Sequence, residues 1–345
     1  MRKNWQAVEA DMAAAFLKWA VIGLLVVGVL LFALTQLIAH RIEARFPPAG
    51  KFAEVEGVLL HYVDIQAGAD ADLLPMVFLH GASDNARDLM GAFGPALEGR
   101  TRMIFIDRPG AGYSQRGREA SIGDPSNPEV QARLVSGLLR EIGLEKAVIV
   151  GHSLGGAVTA AFALNHSEQA HGIGFIAPAT HPWPGGGVTW YYDVVNFPVL
   201  GRLFSETLAV PSGYWLYPNA LKGVFEPERV PKSYADASAT RLVLRPANFR
   251  NNGRDVGSLF GHVTRMSKRY GEIDLPTVII TGDKDTVVRA DIHSEGLERD
   301  IEGAKLVWLD GVGHMPTYTQ TSRIIAEIEA LNREIAAPSE AVAAR

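Results

Sequence analysis

Apolar positions along this chain follow three patterns, and each predicts a different kind of element. Residues 19–39 (WAVIGLLVVGVLLFALTQLIA) hold no charge over 21 positions and are apolar on every face, the pattern of a helix surrounded by hydrocarbon. As a helix the run spans roughly 31 Å, enough to cross a bilayer. Lys18 and His40-Arg41 bracket it, and Trp5 and Trp19 suit the headgroup level. We read an uncleaved single-pass anchor. A cleaved signal peptide is the competing reading, countered by the polar lead of residues 1–18, the length of the run and the lack of a small-x-small site after it. Basic residues balance across the run (Arg2, Lys3 and Lys18 before; Arg41, Arg45 and Lys51 after), so charge asymmetry gives no orientation.

The second pattern is a succession of short β-branched runs alternating with helical periodicity. A linker over 40–50, broken by Pro47-Pro48, leads to a predicted edge hairpin at 52–56 and 58–65. Buried strands are predicted at 76–79, 103–106, 146–150 and 172–177, with a helix over 127–144 and another over 157–164. After a break the alternation resumes with strands at 276–280 and 305–309, a helix near 290–299 and a last amphipathic helix over 319–335. This order predicts an α/β core with a mostly parallel sheet covered on both faces, assembled from residues 51–179 and 263–336. The end of the chain, 337–345, is expected to fray.

The third pattern has no alternation. Residues 180–262 open with His181-Pro182-Trp183-Pro184-Gly185-Gly186-Gly187 and are rich in aromatics, among them Trp190, Tyr191, Tyr192, Phe197, Phe204, Tyr214, Trp215 and Tyr217. They are read as an inserted, mainly helical cap, most of whose aromatics pack the insert's own small core.

Bulk composition narrows the function without naming it. A chain of 345 residues with 47% hydrophobic and 21% charged residues is ordinary for a globular protein, and its net charge of -5 gives no reason to expect nucleic acid as a partner. Zero cysteines exclude disulfides, thiolate metal ligands and a thiol nucleophile.

The chemistry centres on Gly151-His152-Ser153-Leu154-Gly155-Gly156, a GxSxG match between a predicted strand and a predicted helix. A sharp strand-to-helix turn forces the serine into a strained backbone conformation, and the flanking glycines remove the Cβ atoms that would collide there. A serine hydroxyl needs a base to take its proton, and the base needs an orienting acid. Among ten histidines only His314 sits in a glycine-flanked turn after a late predicted strand, and Asp283 or Asp285 stands at the end of the strand before it.

From about residue 52 to 335 the chain resembles the α/β-hydrolase superfamily. The resemblance rests on the His80-Gly81 turn, Asp107-Arg108-Pro109-Gly110 with Gly112 and Ser114, the GHSLGG elbow, Gly282-Asp283-Lys284-Asp285, and Gly313-His314, all in the family's order. It implies Ser153 as nucleophile, His314 as general base and acid, and Asp285 as orienting carboxylate, with Asp283 the runner-up. It also implies an oxyanion hole from the backbone amides of Leu154 and Ala82, with Ser83 as the alternative to Ala82, and a lid at 180–262. His80, His152, Asp107 and Arg108 are expected to shape loops, and His181 and His262 to be solvated or packing residues.

The implied activity is hydrolysis of an apolar carboxylic ester beside the membrane, through an acyl-enzyme and with neither cofactor nor metal. Other chemistries of the same fold are the alternatives: carbon-carbon bond hydrolysis, amidase, acyltransferase or cofactor-free haloperoxidase activity. A catalytically silent, membrane-tethered binding module is the reading from another class.

Overall fold

A computed structural model describes residues 2–337; the expected frayed end lies outside these, apart from Ala337. The chain opens with one helix, α1 (Arg2–Arg45), long and apolar enough to be a candidate membrane span, and most of its described apolar side chains before Leu31 are exposed. α1 runs on past Ala39, so the extended linker is shorter than residues 40–50: residues 41–45 remain good helix formers, and Pro47-Pro48 is the first place the backbone cannot continue.

An eight-stranded sheet follows. Its strands are β1 (Lys51–Val55), β2 (Val58–Ile65), β3 (Met76–Leu79), β4 (Met103–Ile106), β5 (Ala147–His152), β6 (Ala170–Ile176), β7 (Thr277–Gly282) and β8 (Lys305–Leu309), in spatial order β1-β2-β4-β3-β5-β6-β7-β8. The β1–β2 hairpin and the β2–β4 pair are antiparallel, and every pairing from β4 to β8 is parallel. β3, β4 and β5 are buried on both faces, which is why residues 76–79, 103–106 and 147–150 read as unbroken apolar runs.

Helices between the strands cover both faces. In chain order they are α2 (Ala86–Leu97), the short α3 (Glu119–Ile122), α4 (Pro128–Glu141) and α5 (Leu154–Asn165), then α11 (Ala290–Asp300), the short α12 (Pro316–Thr319) and α13 (Thr321–Ala336) after the cap. Asn85 caps α2 and Asn127 caps α4 through side-chain oxygens, with Pro128 as the first residue of α4. One apolar core layer lies under α4 and α5, and the other under α2 and α13.

Between β6 and β7 the cap contributes α6 (Trp190–Val195), α7 (Pro198–Phe204), one π-helical turn (Ser205–Ala209), α8 (Val210–Phe225), the short α9 (Tyr234–Ala237) and α10 (Pro246–Met266). α10 crosses position 262 unbroken, and its last turns join the core, where Leu259, Val263 and Met266 pack in the layer under α4 and α5. The cap aromatics divide: Trp190, Phe197, Tyr214 and Trp215 are exposed, while Tyr191, Tyr192 and Phe204 are half-buried against one another and Phe249, and Tyr217 is buried.

Candidate active site

The elbow forms because three close approaches meet at one point. Ser153 follows the last residue of β5 with φ 52° and ψ −121°, and α5 begins at the next residue. A Cβ on Gly155 would collide with the Leu79 carbonyl oxygen, and one on Gly151 with the Thr159 hydroxyl and the Gly155 carbonyl. The strained serine is held by three backbone bonds: its N–H donates to Ile176 O (3.0 Å), and its carbonyl accepts from Gly156 N (2.9 Å) and Ala179 N (3.0 Å).

Three side chains from three parallel strand ends converge there. His314 Nε2 lies 3.0 Å from Ser153 Oγ, and His314 Nδ1 lies 2.7 Å from Asp285 Oδ2. The other oxygen of Asp285 accepts from the amides of Val287 (2.8 Å) and Val288 (2.9 Å), so the side chain is locked in rotamer. With the Nδ1 proton held by that carboxylate, Nε2 carries the lone pair that faces the serine. Asp283 is placed elsewhere: it accepts from Gly311 N (2.6 Å) and pairs with Lys284 (2.8 Å) at the surface.

The loop after β3 faces the same point. A Cβ on Gly81 would lie 3.0 Å from Ser153 Cβ, which puts the backbone around Ala82 beside the hydroxyl, across from the first amide of α5 at Leu154. The amide of Ser83 is already engaged by Asn252 Oδ1 (2.6 Å). Fully buried Arg108 holds this loop from behind. Its Nε donates to the His80 carbonyl and its Nη2 to the Gly81 carbonyl, both at 2.9 Å. In a trans peptide the N–H points opposite the C=O, so pinning the Gly81 carbonyl turns the Ala82 N–H away from Arg108. Asp255 of α10 accepts from Arg108 (3.2 Å) and Arg116 (2.8 Å), tying the cap to the core through a buried ionic triad. Asp107 braces the next loop by accepting from Ala86 N and Tyr113 N and pairing with His61, each at 2.7 Å.

Two histidines next to the site are kept neutral. Burial, with the nearby Arg108 charge, pushes His80 down to about 3, and burial beside His314 does the same to His152. His80 donates from Nδ1 to Gly81 O and accepts at Nε2 from Arg108 N. His152 donates from Nε2 to the His314 carbonyl (3.0 Å), which leaves its Nδ1 as a buried lone pair with no partner. His181 and His262 are buried rather than solvated, each against a carboxylate: Asp300 at 3.1 Å and Asp124 at 3.2 Å.

One cluster escaped sequence reasoning. Asp84, Asp88 and His152 bring ligand-type atoms within 4.8 Å of one another, and Asp84 Oδ1, both oxygens of Asp88 and His152 Nδ1 are all buried without partners. Buried acceptors that face one another repel, and a proton retained on one carboxyl group relieves this by turning that acceptor into a donor. Burial pushes Asp88 up to about 7 from its ordinary 3.8, and burial plus the Asp88 charge drives Asp84 well upward. The spacing Asp84-x3-Asp88 at the start of a helix was the only sequence signal, and it resembles ordinary capping.

A pH dependence follows. Unfolded, Asp88 loses its proton near pH 3.8; folded, it keeps it to about 7. The native state binds more protons across that window, so stability falls as pH rises through it. Thermal midpoints measured in detergent between about pH 5 and pH 7.5 should drop by roughly 5 °C, on the order of 2 kcal/mol, and Asp88→Asn should flatten the trend. A variant that tracks the natural chain over this range rules the retained proton out.

Known proteins agree with this architecture. The family model described as alpha/beta hydrolase fold matches residues 75–320. The chain is 24% identical over 258 residues to 2-hydroxy-6-oxononadienedioate/2-hydroxy-6-oxononatrienedioate hydrolase 1 of Dechloromonas aromatica, covering 72% of this chain and 78% of that one. It is 24% identical over 254 residues to Lipase 1 of Psychrobacter immobilis, covering 70% and 71%. Among solved structures, a membrane phospholipase A described as a bacterial virulence factor superposes with a TM-score of 0.64 at 19% identity, over 94% of this chain and 99% of that one. With the elbow, the strand order and the family match in agreement, the chain belongs to the α/β-hydrolase fold family and is a hydrolase.

Proposed function

We propose that this hydrolase is anchored in a membrane by α1 and cleaves carboxylic esters through Ser153, His314 and Asp285. The observation that carries the reading is the hydrogen-bond relay Asp285 Oδ2, His314, Ser153 Oγ, at 2.7 and 3.0 Å. Ser153 Oγ attacks the ester carbonyl carbon while His314 Nε2 takes its proton. The tetrahedral oxyanion is held by the amides of Leu154 and Ala82, donors fixed before the reaction and worth about 3 kcal/mol of barrier each. His314 returns the proton to the leaving alcohol, and a water molecule, deprotonated by the same imidazole, releases the acid from the acyl-enzyme. No step needs a metal or a cofactor.

Anchoring is supported by the uncharged run 19–39 within an almost wholly exposed helix, and an apolar substrate by the aromatic, apolar cap. Hydrolysis of a carbon-carbon bond is the second reading, favoured by the similarity to the dienedioate hydrolase of Dechloromonas aromatica. A panel of p-nitrophenyl esters of increasing chain length and a 2-hydroxy-6-oxo dienoate separates the two. Ester turnover with a maximum at medium or long chains is the expected result. Turnover of the dienoate alone overturns it.

A further inference from the structure

α1 does not simply lead into the core; part of it packs on the cap. Half-buried Leu31 and Ile38 and buried Thr35, Ala39, Ile42 and Phe46 recur every three or four residues and form one face. Ile42 and Phe46 pack on Val210, Ala239, Leu242 and Leu244 of the cap. Thr35 Oγ1 donates to the Thr207 carbonyl (3.2 Å), and Gln36 Nε2 to Glu206 (3.1 Å). Thr35 lies four residues inside the end of the uncharged run, about 6 Å back along the helix. The π-helical turn of the cap is therefore held level with the last turn of the apolar span. Beyond Ala39 ion pairs flank the apolar contacts of Ile42 and Phe46, with Arg245 to Glu43 at 3.3 Å and Arg45 to Asp236 at 2.7 Å.

The cap surface at that level is apolar and uncovered. Val199, Leu200 and Leu203 of α7, Leu208 of the π-helical turn, and Trp215 and Leu216 of α8 are all exposed, Trp215 by 79%. α7 and α8 both pack on the π-helical turn, which itself packs on α1, so this surface continues the exposed apolar face of α1. Arg202, beside it and also exposed, has the reach to place its charge among headgroups. Large apolar patches of this kind mark an interaction surface, and continuity with the span selects lipid as the occupant.

We propose that the face of the cap formed by α7, the π-helical turn and the start of α8 docks into the lipid bilayer beside α1, at the boundary of headgroups and acyl chains. This rests on the reading of α1 as an anchor. An ester dissolved in that leaflet then meets the cap without passing through water.

The test places the full-length chain in phosphatidylcholine/phosphatidylglycerol vesicles with brominated acyl chains, which quench only tryptophans at their depth. Two forms each keep one of the six tryptophans and replace the others by phenylalanine: one keeps Trp215, the other Trp308 on β8, at the sheet edge farthest from β1. Quenching of Trp215 at least twice that of Trp308 is expected, and Leu200→Glu with Leu203→Glu should remove the excess while the thermal midpoint in detergent stays unchanged. Equal quenching of both tryptophans in chains that remain in the membrane after an alkaline carbonate wash overturns docking alone. Release of the chain by that wash overturns the anchor and docking together. Neither readout uses turnover, so the ester reading stands or falls separately.

Discussion

Ser153→Ala is expected to abolish covalent labelling by a fluorophosphonate probe and to lower ester turnover by about 10⁵-fold or more. The size follows from the geometry. Ser153 Oγ, the nucleophile in the proposed reaction, lies 3.0 Å from His314 Nε2, and alanine leaves the imidazole nothing to deprotonate except bound water. The fold should persist, because the strained backbone at φ 52° is held by Ile176 O, Gly156 N and Ala179 N and not by the hydroxyl. An unchanged thermal midpoint with labelling lost is the supporting pair. Labelling that survives in the alanine variant places the nucleophile elsewhere.

The second large effect concerns Asp285. Asp285→Asn keeps the shape, and its amide oxygen can still accept from the amides of Val287 and Val288. The amide NH₂ then faces His314 Nδ1, where a carboxylate oxygen stood at 2.7 Å. Two donors cannot share that contact, so the imidazole shifts its proton to Nε2 and loses the lone pair directed at Ser153. A fall in kcat of about 10⁴-fold with little change in KM is expected at neutral pH. If Asp283→Asn produces this loss and Asp285→Asn does not, the roles of the two turn residues are exchanged. That outcome runs against the surface contacts of Asp283 with Gly311 and Lys284.

Much of the core could be read directly from the chain. β3 and β4 occupy the predicted residues 76–79 and 103–106, because strands buried on both faces must be apolar throughout and must end at polar, glycine-rich turns, and the edge strand β8 occupies the predicted 305–309, its buried Val307 and Leu309 alternating with exposed Lys305 and Trp308. Helix ends were less well marked. The predicted helix over 127–144 stops at Glu141, and the predicted 157–164 begins three residues earlier, at Leu154. The second shift has a plain cause: the elbow turns on one residue, so Leu154, Gly155 and Gly156 are already helical, whereas glycines in a sequence resemble loop. Side-chain placement in the cap was least legible, since whether Trp190 or Trp215 faces a core or the outside depends on neighbours that periodicity over two helical turns cannot specify.

By itself the sequence determined the order of strands and helices, the elbow at Ser153, the run of hydrocarbon length and the short set of turns where acid and base could stand. These are local matters, governed by propensity, backbone sterics and the burial pattern of a few consecutive residues. Only the tertiary structure decided that Asp285 and not Asp283 meets His314, that Arg108 reaches behind the His80-Gly81 loop, that Asp84 and Asp88 close on His152, and that α1 rests on the cap. Each of these joins residues tens to hundreds of positions apart or picks between near neighbours in one turn. The choice is made by sheet register and by which buried polar atoms find partners, and neither is written in any single stretch of chain.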